Sequence, residues 1–181
     1  MVGFCLRGRD SGVDEYRMLE RPIENCYWVM PGKLLAGEYP RTKDEGESRE
    51  RLRKLEAAGI GAFIDLTEAD ELLPYDDLLV SACHQRFPIR DVSVPGSREQ
   101  TVAILDAIDA HLAAGTGVYV HCWGGVGRTG VIIGCWLARH GQVGEAALAR
   151  LRQLWWKCPK SARRRSPETA EQECYITGWV G

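Results

Sequence analysis

The sequence predicts an α/β fold, a compact sandwich with a central, mostly parallel sheet of about five strands flanked by helices. Three observations predict it. From residue 27 onward, short apolar runs alternate with longer stretches of helical periodicity. The runs AFIDL (62–66) and GVYVH (117–121) are continuously apolar enough to be buried strands. The chain has 181 residues and 45% hydrophobic content, enough for a real core without staples. No internal repeat or linker divides it. Residues 1–24 are polar and read as a lead-in, and 25–181 read as one domain.

The elements follow in order. YWVMPGKLLAGEYP (27–40) reads as two short strands around a Pro-Gly turn. DEGESRERLRKLEAA (44–58) reads as a helix with Leu52 and Leu55 inward, stopped by Gly59. AFIDL is the next strand, followed by the acidic loop TEADELLPYDD (67–77). HQRFPI (84–89) is a further strand, ending before Asp91. Ser97 starts a helix, with Gln100 placed for a capping box and Ile104, Leu105, Ile108 and Leu112 on one face. GVYVH is the central strand. Helices are then expected over about 128–139, roughly 143–156, and 167–179.

Composition removes several function classes. A formal net charge of −2 argues against nonspecific nucleic-acid binding, and the basic stretch 157–165 is local. No apolar run is long enough for a membrane helix, and MVGFCLRGRDSG has no apolar core of a signal peptide. The seven cysteines are irregularly spaced without a C-x-x-C pair, which argues against a zinc site. Reduced thiols and a cytoplasmic location are expected. Cys26, Cys83 and Cys135 are expected to be small buried hydrophobes.

The stretch HCWGGVGRTG (121–130) carries the chemistry. It places a cysteine, a glycine-rich loop and an arginine between a strand and a helix. Backbone N–H groups at a helix start lack intrahelical partners, and the helix dipole adds positive character there. Such an end binds anions. Gly124, Gly125 and Gly127 let the loop curl so that several amides face one point. Arg128 adds a planar, permanently charged fork suited to phosphate. The same charges favour Cys122 as a thiolate nucleophile beneath a bound phosphate ester. Two lookalikes fit less well. Gly125-x-Gly127-x-x-Gly130 matches a dinucleotide fingerprint, but no βαβ unit follows it and Glu145 falls in a helix. A Walker loop would need Lys before Thr129.

HCWGGVGRT matches the HC-x-x-G-x-x-R-[ST] signature, and here the chain resembles the cysteine-dependent protein tyrosine and dual-specificity phosphatases. LLAGEYP, FPIRDVSVP and SPETAEQECYITGW resemble that family's first strand, general-acid loop and final loop and helix. The resemblance covers about 27–179 and implies the following chemistry. Cys122 attacks phosphorus and forms a phosphocysteine. The backbone of Trp123, Gly124, Gly125, Val126, Gly127 and Arg128, with the Arg128 side chain, holds the phosphate oxygens. Thr129 donates to the thiolate, and His121 orients the loop from beneath. Asp91 is the candidate general acid and base. Asp65, Asp70, Asp76 and Asp77 compete, with Asp65 expected to be structural. Gln172 resembles a glutamine that positions the hydrolytic water, against the plain reading of an exposed helical residue. Thr169 shapes its loop. Trp123 is expected to pack away from the phosphate or form a wall. Arg163, Arg164 and Arg165 either line the rim or form a solvated turn.

No metal or cofactor is expected, because the arginine and amides supply the charge stabilisation. The expected activity is that of a monomeric protein phosphatase acting on phosphotyrosine, with phosphoserine and phosphothreonine as further substrates, in a shallow cleft. The partner is then a phosphoprotein, with no nucleic acid and no membrane. Phosphoinositide or inositol phosphate hydrolysis and a non-catalytic phosphate-binding module are the rivals. An RNA 5′-triphosphatase and a sulfur-transfer enzyme fit the loop less well.

Overall fold

The structure is a computed structural model and describes residues 20–180 of the chain. The lead-in expected over 1–24 therefore falls, for 1–19, outside the described residues. Five strands form one sheet in the order β1-β2-β5-β3-β4: β1 (Cys26–Met30), β2 (Leu34–Gly37), β3 (Ile60–Asp65), β4 (Cys83–Arg86) and β5 (Gly117–His121). β1 and β2 are an antiparallel hairpin, and the other three pairings are parallel. Among the described residues five α-helices accompany them: α1 (Glu45–Ala57), α2 (Arg98–Ala113), α3 (Gly127–Arg139), α4 (Glu145–Trp155) and α5 (Ala170–Thr177). The expected sandwich with its mostly parallel sheet is what forms.

Alternation along the strands divides the core between the two faces of the sheet. Val118 and Val120 of β5 join one cluster with Ile104, Ile108, Ile132 and Ile133 from the helices α2 and α3. Tyr119, between them, points into a second cluster with Leu52 and Leu55 of α1. All five residues of β5 are buried, as suits a strand paired on both edges. α3 is buried on every side from Gly127 to Ala138. It is packed between β5, α2, α4 and α5, so burying each of its isoleucines stabilises the fold by about 1.5–3 kcal/mol.

Several boundaries differ from the sequence expectation. β4 stops at Arg86, not Ile89. Phe87 N and Ile89 N still donate to the Asp65 and Leu66 carbonyls, so backbone contact with β3 continues past the end of the regular strand. Ser97 caps α2 by accepting from the Gln100 amide, yet the capping box is incomplete. The Gln100 side chain instead binds Gly96 N and the Pro88 carbonyl. α5 is shorter than the expected 167–179 because Thr169 is its cap, with a full Thr169–Gln172 capping box. Cys83 is exposed, not buried, because β4 is the sheet edge; Cys26 and Cys135 are buried as expected.

The parallel register aligns Gly37 of β2, His121 of β5 and Asp65 of β3 at the carboxyl ends of their strands. Cys122 follows directly. Crevices at the carboxyl ends of parallel strands are where open α/β sheets bind ligands.

Candidate active site

Residues 122–126 link β5 to α3, and their shape is set from outside the loop. Gly125 has φ +71°, and a Cβ there would collide with the backbone of Gly37 and Glu38. The loop carbonyls are drawn outward. Tyr39 N donates to Trp123 O at 2.9 Å. Lys160 Nζ donates to Gly124 O at 3.0 Å, and Ser166 Oγ to Val126 O at 2.7 Å. A peptide plane carries its carbonyl and N–H on opposite sides, so carbonyls held outward turn the amides of Gly124, Gly125 and Gly127 the other way. The loop opens on a cleft of about 460 Å³, with Cys122, 3% exposed, among the residues that line it.

Arg128 is 1% exposed and heavily bonded. Its Nη1 and Nη2 donate to the two carboxylate oxygens of Glu71 at 2.7 and 2.6 Å, and Nη1 also reaches the Ile89 carbonyl at 3.0 Å. Asp91 Oδ1 lies 2.9 Å from Nη2. Burial works against the charge on Arg128, but Glu71 and Asp91 outweigh it and hold the guanidinium protonated. Burial likewise works against the Glu71 carboxylate, yet the hydrogen bonds from Arg128 leave its pKa below the ordinary range. Arg128 Nε and Thr129 Oγ1 are buried with no hydrogen-bond partner among the described residues. A buried donor left free is costly, so such groups point to a ligand, a water or a reacting atom.

Asp91 lies on the cleft with Val92, whose φ of 58° is a strained conformation for a β-branched residue. Asp65 is structural, as expected: fully buried, it accepts from Thr67, His84 and Arg86. Burial would raise its pKa, but these bonds and the nearby His121 bring it well below the usual carboxylate range. The other competitors, Asp70, Asp76 and Asp77, are exposed.

His121 is fully buried directly before Cys122, and its Nε2 lies 2.6 Å from the Tyr75 hydroxyl. Burial pulls its pKa down to about 4, with Asp65 opposing, so the ring is neutral at neutral pH. A neutral ring bonded to a tyrosine, packed against Tyr39 and Tyr119, is a rigid support beneath the loop.

Gln172 is fully buried, which rules out the exposed-residue reading. It lies against Gly127, where a Cβ would meet its amide nitrogen at 2.8 Å. Its Oε1 accepts from Glu168 N and Thr169 N, and its Nε2 donates to Ser93 O at 3.0 Å. The side chain thus ties the Asp91 loop to the start of α5. Of the three arginines, only Arg164 borders the cleft, while Arg165 pairs with Glu173 at 3.5 Å. Trp123 is 58% exposed and forms part of the cleft wall. Sequence reasoning missed Glu71, Tyr75 and Lys160. Glu71 sits in an acidic loop where nothing distinguishes it from its neighbours, and Tyr75 and Lys160 meet the loop only through the tertiary fold. Among the described residues, no group of three or more His, Cys, Asp or Glu side chains is set to hold a metal ion, and no helix is long and apolar enough to cross a membrane.

Solved structures with this fold are protein tyrosine and dual-specificity phosphatases. Tk-PTP in its active form is 26% identical, with a TM-score of 0.67 over 84% of this chain and 93% of that one. Kinase associated phosphatase shares the fold at 21% identity, with a TM-score of 0.66 over 79% of this chain and 83% of that one. The class is therefore that of the cysteine-dependent phosphatases. Residues 37–142 match the family described as "Polymorphic toxin system, DSP-PTPase phosphatase", and the chain belongs to it. It is 35% identical over 121 residues to the protein named tyrosine phosphatase 067L of Invertebrate iridescent virus 3, covering 64% of this chain and 47% of that one. It is 31% identical over 121 residues to phosphatidylglycerophosphate phosphatase PTPMT2 of Arabidopsis thaliana, covering 63% of this chain and 48% of that one. The chain thus spans about half the length of these curated relatives.

Proposed function

We propose that the protein hydrolyses phosphotyrosine, and to a lesser extent phosphoserine and phosphothreonine, through a phosphocysteine intermediate. The observation that carries this reading is that Cys122 and Asp91 line one cleft, with Asp91 Oδ1 2.9 Å from Nη2 of the buried Arg128. A phosphate dianion entering between them takes the guanidinium face that Asp91 now occupies. Asp91, displaced from the arginine, is then beside the ester oxygen, where a general acid must sit. It becomes the acid the first step needs.

In that step the Cys122 sulfur forms a bond to phosphorus, the bond to the ester oxygen breaks, and Asp91 passes its proton to the leaving oxygen. Arg128 and the loop amides hold the three equatorial oxygens, where charge accumulates in the transition state. In the second step, water attacks phosphorus and gives its proton to Asp91, and the phosphorus–sulfur bond breaks. The unpartnered Thr129 hydroxyl is available to stabilise the departing thiolate. The exposed Trp123 ring supplies an apolar wall for an aryl group. The protein acts as a cytoplasmic monomer on phosphoproteins in this reading.

A second reading, hydrolysis of a phospholipid or inositol phosphate, draws on two observations. One relative is named for phosphatidylglycerophosphate, and the cleft is bordered by Arg41, Arg51, Lys160 and Arg164. A substrate panel separates the two. On the phosphotyrosine reading, kcat/KM for phosphotyrosine peptides exceeds that for soluble phosphoinositides by at least ~10-fold. The reverse order overturns it.

A further inference from the structure

A second cavity, of about 150 Å³, lies at the β1 edge of the sheet, between that strand and α4. It shares no lining residue with the catalytic cleft. Tyr27 and Trp28 both border it, although they pack into the cores on opposite faces of the sheet. That is possible because β1 is an edge strand. Pro31 and Leu154 extend the apolar wall. The charged lining residues come from three separate parts of the chain: Arg21 before β1, Arg150 on α4 and Lys157 just after α4. Arg21 Nη1 donates to the Lys157 carbonyl at 2.6 Å, so two of the three are tied together.

Charge here has one sign. No carboxylate lines the cavity. Among the described residues, Arg21, Arg150 and Lys157 have no carboxylate oxygen within 4.0 Å. The cations of the catalytic cleft differ in this respect: Arg41 pairs with Asp77, Arg51 and Lys160 with Glu38, and Arg164 with Glu168. Arg150 Nη1 donates to the neutral Gln153 side chain at 3.3 Å, which leaves its charge uncompensated. The three cationic residues reach solvent, so water screens their mutual repulsion. A partly enclosed surface lined by one sign of charge concentrates the opposite sign.

We propose that this cavity is a second, non-hydrolytic binding site, which takes the phosphate group of a small phosphorylated organic molecule. Two guanidinium forks and an ammonium match the charge and the several acceptor oxygens of a phosphate dianion. A lone carboxylate would neutralise one of the three cations. The apolar wall of Trp28, Pro31 and Leu154 beside the cations suits an organic portion, as in sites where a few polar groups orient a ligand against apolar walls. The site stands whichever ester Cys122 hydrolyses, because no residue of the catalytic cleft takes part in it.

The test is a titration of the full chain followed by amide and indole N–H resonances, in Cys122→Ser so that no ester is consumed. Inorganic phosphate and phenyl phosphate are the two probes. Two groups of resonances report separately: the amides of Gly124, Gly125 and Gly127 for the phosphate loop, and the Trp28 indole N–H with the Arg150 and Lys157 amides for the edge cavity. The Trp28 indole N–H is held by the Glu20 carbonyl at 3.1 Å, which makes it a fixed reporter. Both groups are expected to shift, each with its own saturation curve, and phenyl phosphate to fill the edge cavity at a severalfold lower concentration than inorganic phosphate. Arg150→Gln and Lys157→Gln, each added to Cys122→Ser, should weaken the cavity curve by about tenfold and leave the loop curve in place. In an otherwise wild-type chain the same two substitutions should leave the rate on para-nitrophenyl phosphate unchanged. Cavity resonances that stay still while the loop saturates, that merely follow the loop curve, or that shift equally after both substitutions overturn the site. Equal curves for the two probes overturn the organic portion and leave a site for phosphate alone.

Discussion

Glu71 and Arg128 meet through two parallel hydrogen bonds of 2.6 and 2.7 Å, made by both guanidinium Nη atoms to both carboxylate oxygens. This fork-to-fork geometry fixes the plane of the arginine as well as its position. It leaves Nε unpartnered, so the guanidinium is oriented while one donor remains free for a phosphate. Glu71 touches no reacting atom in this account and is a positioning residue.

Glu71→Gln should therefore weaken the orientation of Arg128 while leaving its charge. A loss of ~10–100-fold in kcat/KM is expected, the scale of a small misplacement at a reacting centre. Weaker vanadate binding should accompany it, together with little change in thermal stability. A merely structural glutamate would instead lower the melting temperature and spare the kinetics of the folded fraction.

Asp91→Asn removes the proton that the leaving group needs. The rate on substrates with poor leaving groups should fall by ~10²–10⁴. The loss should shrink for an activated aryl phosphate, which departs without much protonation. Equal losses on every substrate would assign Asp91 to binding, through its contact with Arg128 at 2.9 Å.

His121 makes folding stability depend on pH. Burial pulls its pKa down to about 4, below the ordinary ~6.5 of an unfolded chain. Between those values the unfolded state binds more protons than the folded one. Stability is thus fully present above pH 6.5 and is lost as the pH falls toward 4. Urea unfolding should show a loss of about 2 kcal/mol between pH 7 and pH 5 from this group. Asp65, whose pKa is lowered, acts only at more acidic pH and does not blur this window. A His121→Gln variant that folds should show a flatter profile over the same range, and an unchanged slope would assign the effect to another group.

The phosphate loop was legible in the sequence because its signals are local. Cys122, Gly125 and Arg128 lie within seven residues, between a β-branched run and a helical one. Asp91 was legible less directly, from the prolines around it and from resemblance. The supports of the loop were not legible. Glu71 lies 57 positions from Arg128, and Tyr75 lies 46 from His121. Nothing in TEADELLPYDD marks which acidic side chain turns inward. Lys160 and Arg164 sat in a basic stretch that sequence alone could not place at the cleft or in solvent. The end of β4 was misjudged for a simpler reason: the apolar pattern of HQRFPI continues past Arg86, where the regular pairing with β3 stops.

The central claim is that Cys122 carries the phosphoryl group between the two steps. The most direct measurement is rapid acid quenching during turnover, followed by peptide mass spectrometry. The account predicts one phosphoryl group on the peptide containing Cys122, accumulating before steady state and absent from Cys122→Ser, which should also fail to turn over substrate. Steady turnover with no phosphorylated Cys122, or appreciable activity in a clean Cys122→Ser preparation, would contradict it.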